Sequence, residues 1–298
     1  MARQLITPQK IRDHVKRLGE QHPPIRMDSV DFTVKEPRTL SERFGSVLDY
    51  LARVELEVDR NVLELLVLLP DVDETNRMFY ADVWHPQEIQ HGLILDRLQG
   101  DLGQPPAEPI NDIALRVKLL APLAHFRPIQ EITRFLYFLT GASTERQAVL
   151  AYNTLSKGLD EMGEKAISQT LIGQIKQQEP GHFAFYQMSA TSMVQHEVLK
   201  PWQLWLARVL REKTFGLVGT NKNDRHRKEY GSVIVGLGLE DRLESYAREI
   251  GRLETRLLWA KEKGMEFPPY MLKALRECLA LYREEFAKGN LSPTAALG

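Results

Sequence analysis

Cysteine is almost absent: Cys278 stands alone among 298 residues. One thiol cannot close an intramolecular disulfide or build a thiolate zinc site, and a reducing, cytoplasmic setting is the expectation. Long hydrophobic runs are also missing. The densest, Leu65-Leu66-Val67-Leu68-Leu69, lies between Glu64 and Pro70 and is far too short to cross a bilayer. Met1 to Thr7 holds no apolar core of the kind a signal peptide needs. Neither sign of charge dominates, with 39 Lys and Arg against 40 Asp and Glu, so nothing draws the whole chain toward nucleic acid or an anionic membrane. No Gly-rich phosphate loop and no nucleophile with its base is present. Gly236-Leu237-Gly238 is too short and follows no strand. No stretch alternates as a half-buried strand does, so the chain is expected to be all-α.

What the chain does have is helical periodicity. Thr7 and Pro8 open an amphipathic helix over 8–20. Residues 21–38, with three prolines, read as an extended arm. A long helix is expected from Ser41 to Leu69. Asp73 caps a second, kinked at Pro86 and ending near Leu102. Helical patterns resume over 110–139, interrupted at Pro122 and Pro128. Ser143 or Thr144 opens another helix at Gly141, and Gly158 and Gly163 are break points before a helix over 163–200. Residues 202–213 read as helix and 216–238 as a loop rich in Gly, Asn and charge. Helices over 240–263 and 269–288 follow, then a loose tail. The organisation expected is an N-terminal helix and arm (1–40), a bundle (41–200) and a C-terminal helical extension of the same domain (201–298).

Two strings carry chemistry, Glu88-Ile89-Gln90-His91 and Glu179-Pro180-Gly181-His182. Residues three apart share a helix face, so each string aims a carboxylate and an imidazole at one point. The strings start 91 residues apart, and each follows an isolated Glu: Glu55, 33 residues before Glu88, and Glu145, 34 before Glu179. Each half is then a helical hairpin with one Glu, a turn and Glu-x-x-His, and two such hairpins make a four-helix bundle around two metal ions. Glu57 is the rival to Glu55. Glu55 lies within the apolar stripe of Leu48, Leu51, Val58, Val62 and Leu65, whereas Glu57 projects about 200° away at roughly 100° per residue. Glu64 is off the stripe. Glu145 has Ala142, Ala148, Val149 and Tyr152 as its neighbourhood. Oxygen and nitrogen donors suit iron, with manganese an alternative. Pro180-Gly181 predicts a bend or a π-bulge inside the second string.

The block Trp84-His85-Pro86-Gln87-Glu88-Ile89-Gln90-His91-Gly92 resembles the Trp-x-x-x-Glu-x-x-His-Gly block of soluble acyl-carrier-protein desaturases. Those belong to the ferritin-like di-iron superfamily. Thr144-Glu145-Arg146 with Asn153-Thr154 resembles that family's third-helix block, and Gln178-Glu179-Pro180-Gly181-His182 stands where its second Glu-x-x-His would be. The resemblance covers roughly residues 40–200. It implies a ferritin-like bundle and two iron ions (manganese possible) held by Glu55, Glu88, His91, Glu145, Glu179 and His182. It further implies dioxygen activation, a ferredoxin-type electron donor, a fatty acyl chain on acyl carrier protein or another hydrophobic substrate in an apolar channel, and a homodimer. Three positions depart from the family. Ala148 replaces a threonine linked to oxygen activation, Gln178 replaces an aspartate that supports a metal-bound histidine, and Pro180-Gly181 interrupts a helix. A hydroxylase or N-oxygenase, or a ferritin-like iron-binding protein without an organic substrate, is the alternative.

Lesser features have plainer readings. Trp84 is a packing residue or part of an electron path. His85, His125 and His196 read as surface or satisfied core residues, and Phe135, Tyr137 and Phe138 as core or channel lining. The run Lys222-Asn223-Asp224-Arg225-His226-Arg227-Lys228 reads as a solvated loop, with a docking surface for an acidic carrier protein as the alternative.

Overall fold

A computed structural model describes residues 5–69, 71–111, 125–221 and 223–289. Among these every regular element is helical. Helix α1, Pro8–Gln21, starts as expected, with Thr7 accepting from the Lys10 amide and Pro8 in the first turn. A strap then leads to α2, Pro37–Leu56, and α3, Val58–Leu68. After the short α4, Glu74–Arg77, a π-helical segment Met78–Trp84 runs into α5, His85–Asp101. Helix α6 spans Arg127–Met162. The short α7, Lys165–Ile167, and a second π-helical segment, Ser168–Ile172, lead into α8, Gly173–Gln195. Four further α-helices follow among the described residues: α9 Pro201–Thr214, α10 Asp224–Gly236, α11 Leu243–Leu258 and α12 Pro269–Ala287.

Several expectations need correction. The single helix over 41–69 is divided at Glu57. No helix opens at Ser143 or Thr144: α6 passes unbroken through Gly141 and Gly158, and Pro128 sits in its first turn. Both glycines are contact points. A Cβ at position 141 would lie 2.3 Å from the Tyr186 ring, and one at 158 would lie 2.4 Å from Phe44. Gly163 does end α6, in the left-handed conformation at φ 79°. The loop expected over 216–238 holds α10, capped by Asn223 and burying Tyr230, Val233 and Ile234. That spacing is helical but short, and Gly and Asn nearby outweighed it. The basic run is therefore helical from Asp224 onward. The distortion expected at Pro86 lies just before it, in the first π-helical segment, and α8 continues through Pro180 after the second. Lys222, the pattern over 112–124 with Pro122, and the tail from 290 lie outside the described residues.

Four helices enclose the strings, and their contacts give their directions. Ser41 meets Gln104 at one end of the α2–α5 pair, and Leu56 meets Gly92 at the other. Ser156 meets Ser168, and Gly141 meets Tyr186, across α6 and α8. Phe44 on Gly158 and Glu55 on Tyr152 join α2 to α6. Gln87 on His182 and His91 on Gln178 join α5 to α8. Each helix is thus antiparallel to both neighbours.

The buried apolar side chains fall into two clusters. One contains Leu48, Ile94, Leu155 and Ile175, with α10 to α12 packed on it. The other contains Val58, Trp84, Phe138 and Phe185, with α1 and α9 packed on it. Along the chain Glu55 lies between Ala52 of the first cluster and Val58 of the second, and Glu88 and His91 between Trp84 of the second and Ile94 of the first. Glu145 lies between Ala142 of the second and Ala151 of the first, and Glu179 and His182 between Ile175 of the first and Phe185 of the second. These residues form one polar layer between the two apolar clusters.

Glycine substitutions test this packing. Gly141→Ala forces a methyl into the buried Tyr186 ring and should cost about 1–3 kcal/mol. Gly100→Ala, also helical but with nothing within 4 Å of the added carbon, should stabilise by up to about 1 kcal/mol through helix propensity. Urea unfolding of the two variants measures the difference, and equal midpoints would contradict the contact.

Candidate metal centre

Each string delivers its side chains as helical spacing requires. All six predicted residues are buried: His91, Glu179 and His182 are fully inaccessible, and Glu55, Glu88 and Glu145 are at most 6 % exposed. They form two overlapping groups. Glu55, Glu88, His91 and Glu179 make one, Glu88, Glu145, Glu179 and His182 the other, and within each group one ligand atom per residue lies within 4.8 Å of the rest. Either group could hold a metal ion, with Glu88 and Glu179 common to both. His91 Nδ1 is 3.1 Å from Glu179, 3.9 Å from Glu88 and 4.0 Å from Glu55. His182 Nδ1 is 2.8 Å from Glu88, 3.7 Å from Glu145 and 4.0 Å from Glu179.

The hydrogen-bond inventory tests whether a cation fits. Glu88 Oε1, both Glu179 oxygens and both Nδ1 atoms are buried with no hydrogen-bond partner. The 2.8 Å and 3.1 Å contacts bring these atoms close without aligning a donor hydrogen on an acceptor, so the lone pairs converge on shared points. Unpaired buried acceptors cost about 1–3 kcal/mol each, more when charged. A cation at each convergence point satisfies them together.

Burial, and then the charges of Glu55 and Glu179, push the Glu88 carboxyl well above its usual range. Burial, then Glu55 and Glu145, does the same to Glu179, with His182 opposing. Burial lowers His91, partly offset by Glu55 and by Gln178.

Four outer partners hold the set. The Tyr152 hydroxyl donates to Glu55 Oε1 at 2.5 Å, and Trp84 Nε1 donates to Glu145 Oε1 at 3.1 Å. Burial and the nearby carboxylates push the Tyr152 phenol well above its usual range, so it stays a donor. Gln178 Oε1 lies 2.7 Å from His91 Nε2, and Gln87 Oε1 lies 2.6 Å from His182 Nε2. Gln178 therefore occupies the supporting place as a neutral amide. Gln87 and the site contact of Trp84 were missed in the sequence, although the signal was there: both strings read Gln-Glu-x-x-His, and Trp84 is one turn before Glu88.

The rival, Glu57, is buried elsewhere, between Arg53 at 2.6 Å and Arg60 at 2.7 Å. Glu64 belongs to neither group. His85 pairs with Asp59, His196 meets the Ile6 carbonyl, and His125 is exposed. Phe135 and Phe138 are core residues, and the Tyr137 hydroxyl reaches the Asn61 carbonyl at 3.4 Å. A cleft lined by Leu65, Leu69, Val72, Asn76, Tyr80, Arg134 and Phe138 encloses about 10 Å³, room for one water and too little for an acyl chain.

Two predictions follow from this geometry. Glu57→Gln leaves Arg60 buried beside a neutral amide and Arg53 with Glu229, 3.2 Å away, as its remaining carboxylate, and should destabilise by roughly 3–5 kcal/mol with metal stoichiometry unchanged. Glu55→Gln should cost far less stability and reduce metal content, as read by urea unfolding and elemental analysis. The second concerns pH. A carboxyl whose folded pKa is raised holds its proton in the folded, metal-free chain where the unfolded chain has lost it. Stability of the metal-free protein should therefore fall as pH rises from the ordinary carboxylate value through the raised values of Glu88 and Glu179. Glu88→Gln should flatten that fall, and manganese binding near neutral pH should release protons, measurable by calorimetry in buffers of different ionisation enthalpy. Binding without proton release would contradict the raised values. No family model, curated protein or solved structure matches this chain.

Proposed function

We propose that this chain is a dioxygen-activating di-iron oxidoreductase on a ferritin-like bundle, acting on a fatty acyl chain as the acyl-carrier-protein desaturases do. The observation that carries the reading is the pair of overlapping four-residue groups sharing Glu88 and Glu179, with their lone pairs unpaired. Glu55, Glu88, His91 and Glu179 would hold one ion, and Glu88, Glu145, Glu179 and His182 the other. Iron there would supply redox chemistry toward dioxygen that no side chain of this chain provides.

The protein's part is positioning and exclusion of water. Tyr152 and Trp84 fix the two outer carboxylates, and the glutamines fix both imidazoles. The apolar clusters above and below the layer keep solvent out, which strengthens every charge interaction within it. Desaturation balances as one acyl CH2–CH2 unit, one dioxygen, two electrons and two protons giving one CH=CH unit and two waters. The electrons come singly from a ferredoxin-type donor, and the acyl chain arrives on acyl carrier protein. A homodimer in the cytoplasm completes the proposal. One observation favours a second reading, a hydroxylase or N-oxygenase on another substrate: Ala148, a partly buried apolar residue packed on the first cluster, puts a methyl where the desaturases carry a hydroxyl.

Anaerobic titration with ferrous iron should saturate near two ions per chain. With reductant, dioxygen and an acylated carrier protein, the product should lose two hydrogens by mass spectrometry. Gain of one oxygen atom would establish the second reading, and absence of iron uptake would refute both.

A further inference from the structure

The two glutamines that hold the imidazoles also hold the N-terminal strap. Gln87 donates its amide to the His22 carbonyl, and Gln178 donates to the Pro23 carbonyl at 2.8 Å. These are consecutive carbonyls in the segment joining α1 to α2. A carbonyl only accepts, so each glutamine must turn its NH2 toward the strap and its oxygen toward the histidine. The amide oxygen also only accepts, so Nε2 of each imidazole must carry a hydrogen. A neutral ring then has its lone pair on Nδ1, the atom that faces the carboxylates without a hydrogen-bond partner.

Helix α1 fastens this strap to the second string. His14 Nε2 lies 2.9 Å from the Gly181 carbonyl, and Leu18 packs where a Gly181 side chain would be, 2.3 Å from an added Cβ. Gly181 is thus the landing place for α1, between Glu179 and His182.

We infer that the N-terminal strap is the positioning element that sets the tautomer and orientation of both imidazoles before any metal arrives. The inference rests on the metal-centre reading, and its mechanism is a relay of three groups on each side: strap carbonyl, glutamine amide, imidazole. By linkage, holding each ring as an Nε2–H donor with Nδ1 free for a metal would also hold each amide and so tighten the strap.

Long-range proton–nitrogen NMR of the imidazole rings in the full-length, metal-free chain tests this. His91 and His182 should both be Nε2–H in the wild type. Gln87→Leu should release His182 to mixed tautomers, and Gln178→Leu should do so for His91. Glutamate at either position still accepts from the imidazole and should restore the tautomer. It meets the strap carbonyl with an oxygen, however, and should speed tryptic cleavage after Arg26, an exposed residue of the strap. Leu18→Ala, which removes the packing of α1 on Gly181 and leaves both glutamines in place, should speed the same cleavage. Zinc affinity should drop about 10- to 100-fold in the leucine variants. An Nδ1–H or mixed ring in the wild type, or unchanged rings in both leucine variants, would overturn the inference. Correct tautomers with no zinc uptake by the wild type would instead sink the metal reading and leave the strap's role standing.

Discussion

Four carboxylates confined to one buried layer are the constraint on which the rest depends. Two unit charges 4 Å apart interact by on the order of 4 kcal/mol at an effective dielectric of 20. Glu88 and Glu179 each sit among the other three carboxylates, so the metal-free layer escapes that repulsion by keeping protons. Cations bound there would convert the repulsion into attraction, and their binding energy would become folding energy. The two apolar clusters make this tolerable, since the chain on one side of each charged residue is anchored in one cluster and on the other side in the second.

The choice of outer partners follows from the same charge balance. Tyr152, Trp84, Gln87 and Gln178 are all neutral. Four carboxylates against two divalent ions would then leave the layer with no net charge. An aspartate in place of Gln178 would add a negative charge that nothing nearby offsets, at the dielectric where it costs most. The amide gives up some basicity in the imidazole it supports, but it gains a second donor, which the strap uses. The buried charges that do exist nearby close among themselves: Glu57 between Arg53 and Arg60, and Arg211 on Glu254.

How much of this was legible in the sequence depended on whether the information was periodic. The six buried residues were readable because helical spacing and an approximate internal repeat both pointed to them. Glu55 could be separated from Glu57 because an apolar stripe passes through one and not the other. The continuity of α6 was not readable: Gly141 and Gly158 read as breaks by propensity, while their function is close approach to Tyr186 and Phe44, a tertiary fact. Helix α10 was hidden because its buried face is short and its flanks are rich in Gly and Asn. The strap's role could not be read at all, since it is carried by backbone carbonyls, and every residue has one.

The two halves match more closely in structure than in sequence, and their mismatches set the two positions apart. Each string follows a π-helical segment, each glutamine crosses to the other string's histidine, and each upstream glutamate has one donor. Widened turns of this kind are rare and gather at functional sites, so a pair of them in corresponding places speaks for a shared demand on both halves. The donors differ, however. Glu55 is held by Tyr152 inside the first cluster. Glu145 is held by Trp84, which stacks on Phe79, itself edge-on to His182 at 6.2 Å. The position near Glu145 and His182 therefore borders a polarisable aromatic wall, and the one near Glu55 and His91 borders a single phenol. Helix α1, which lands on Gly181, adds weight to the same side. Two ions in this layer would occupy unlike environments, and any chemistry that starts at one of them has a physical reason to prefer it.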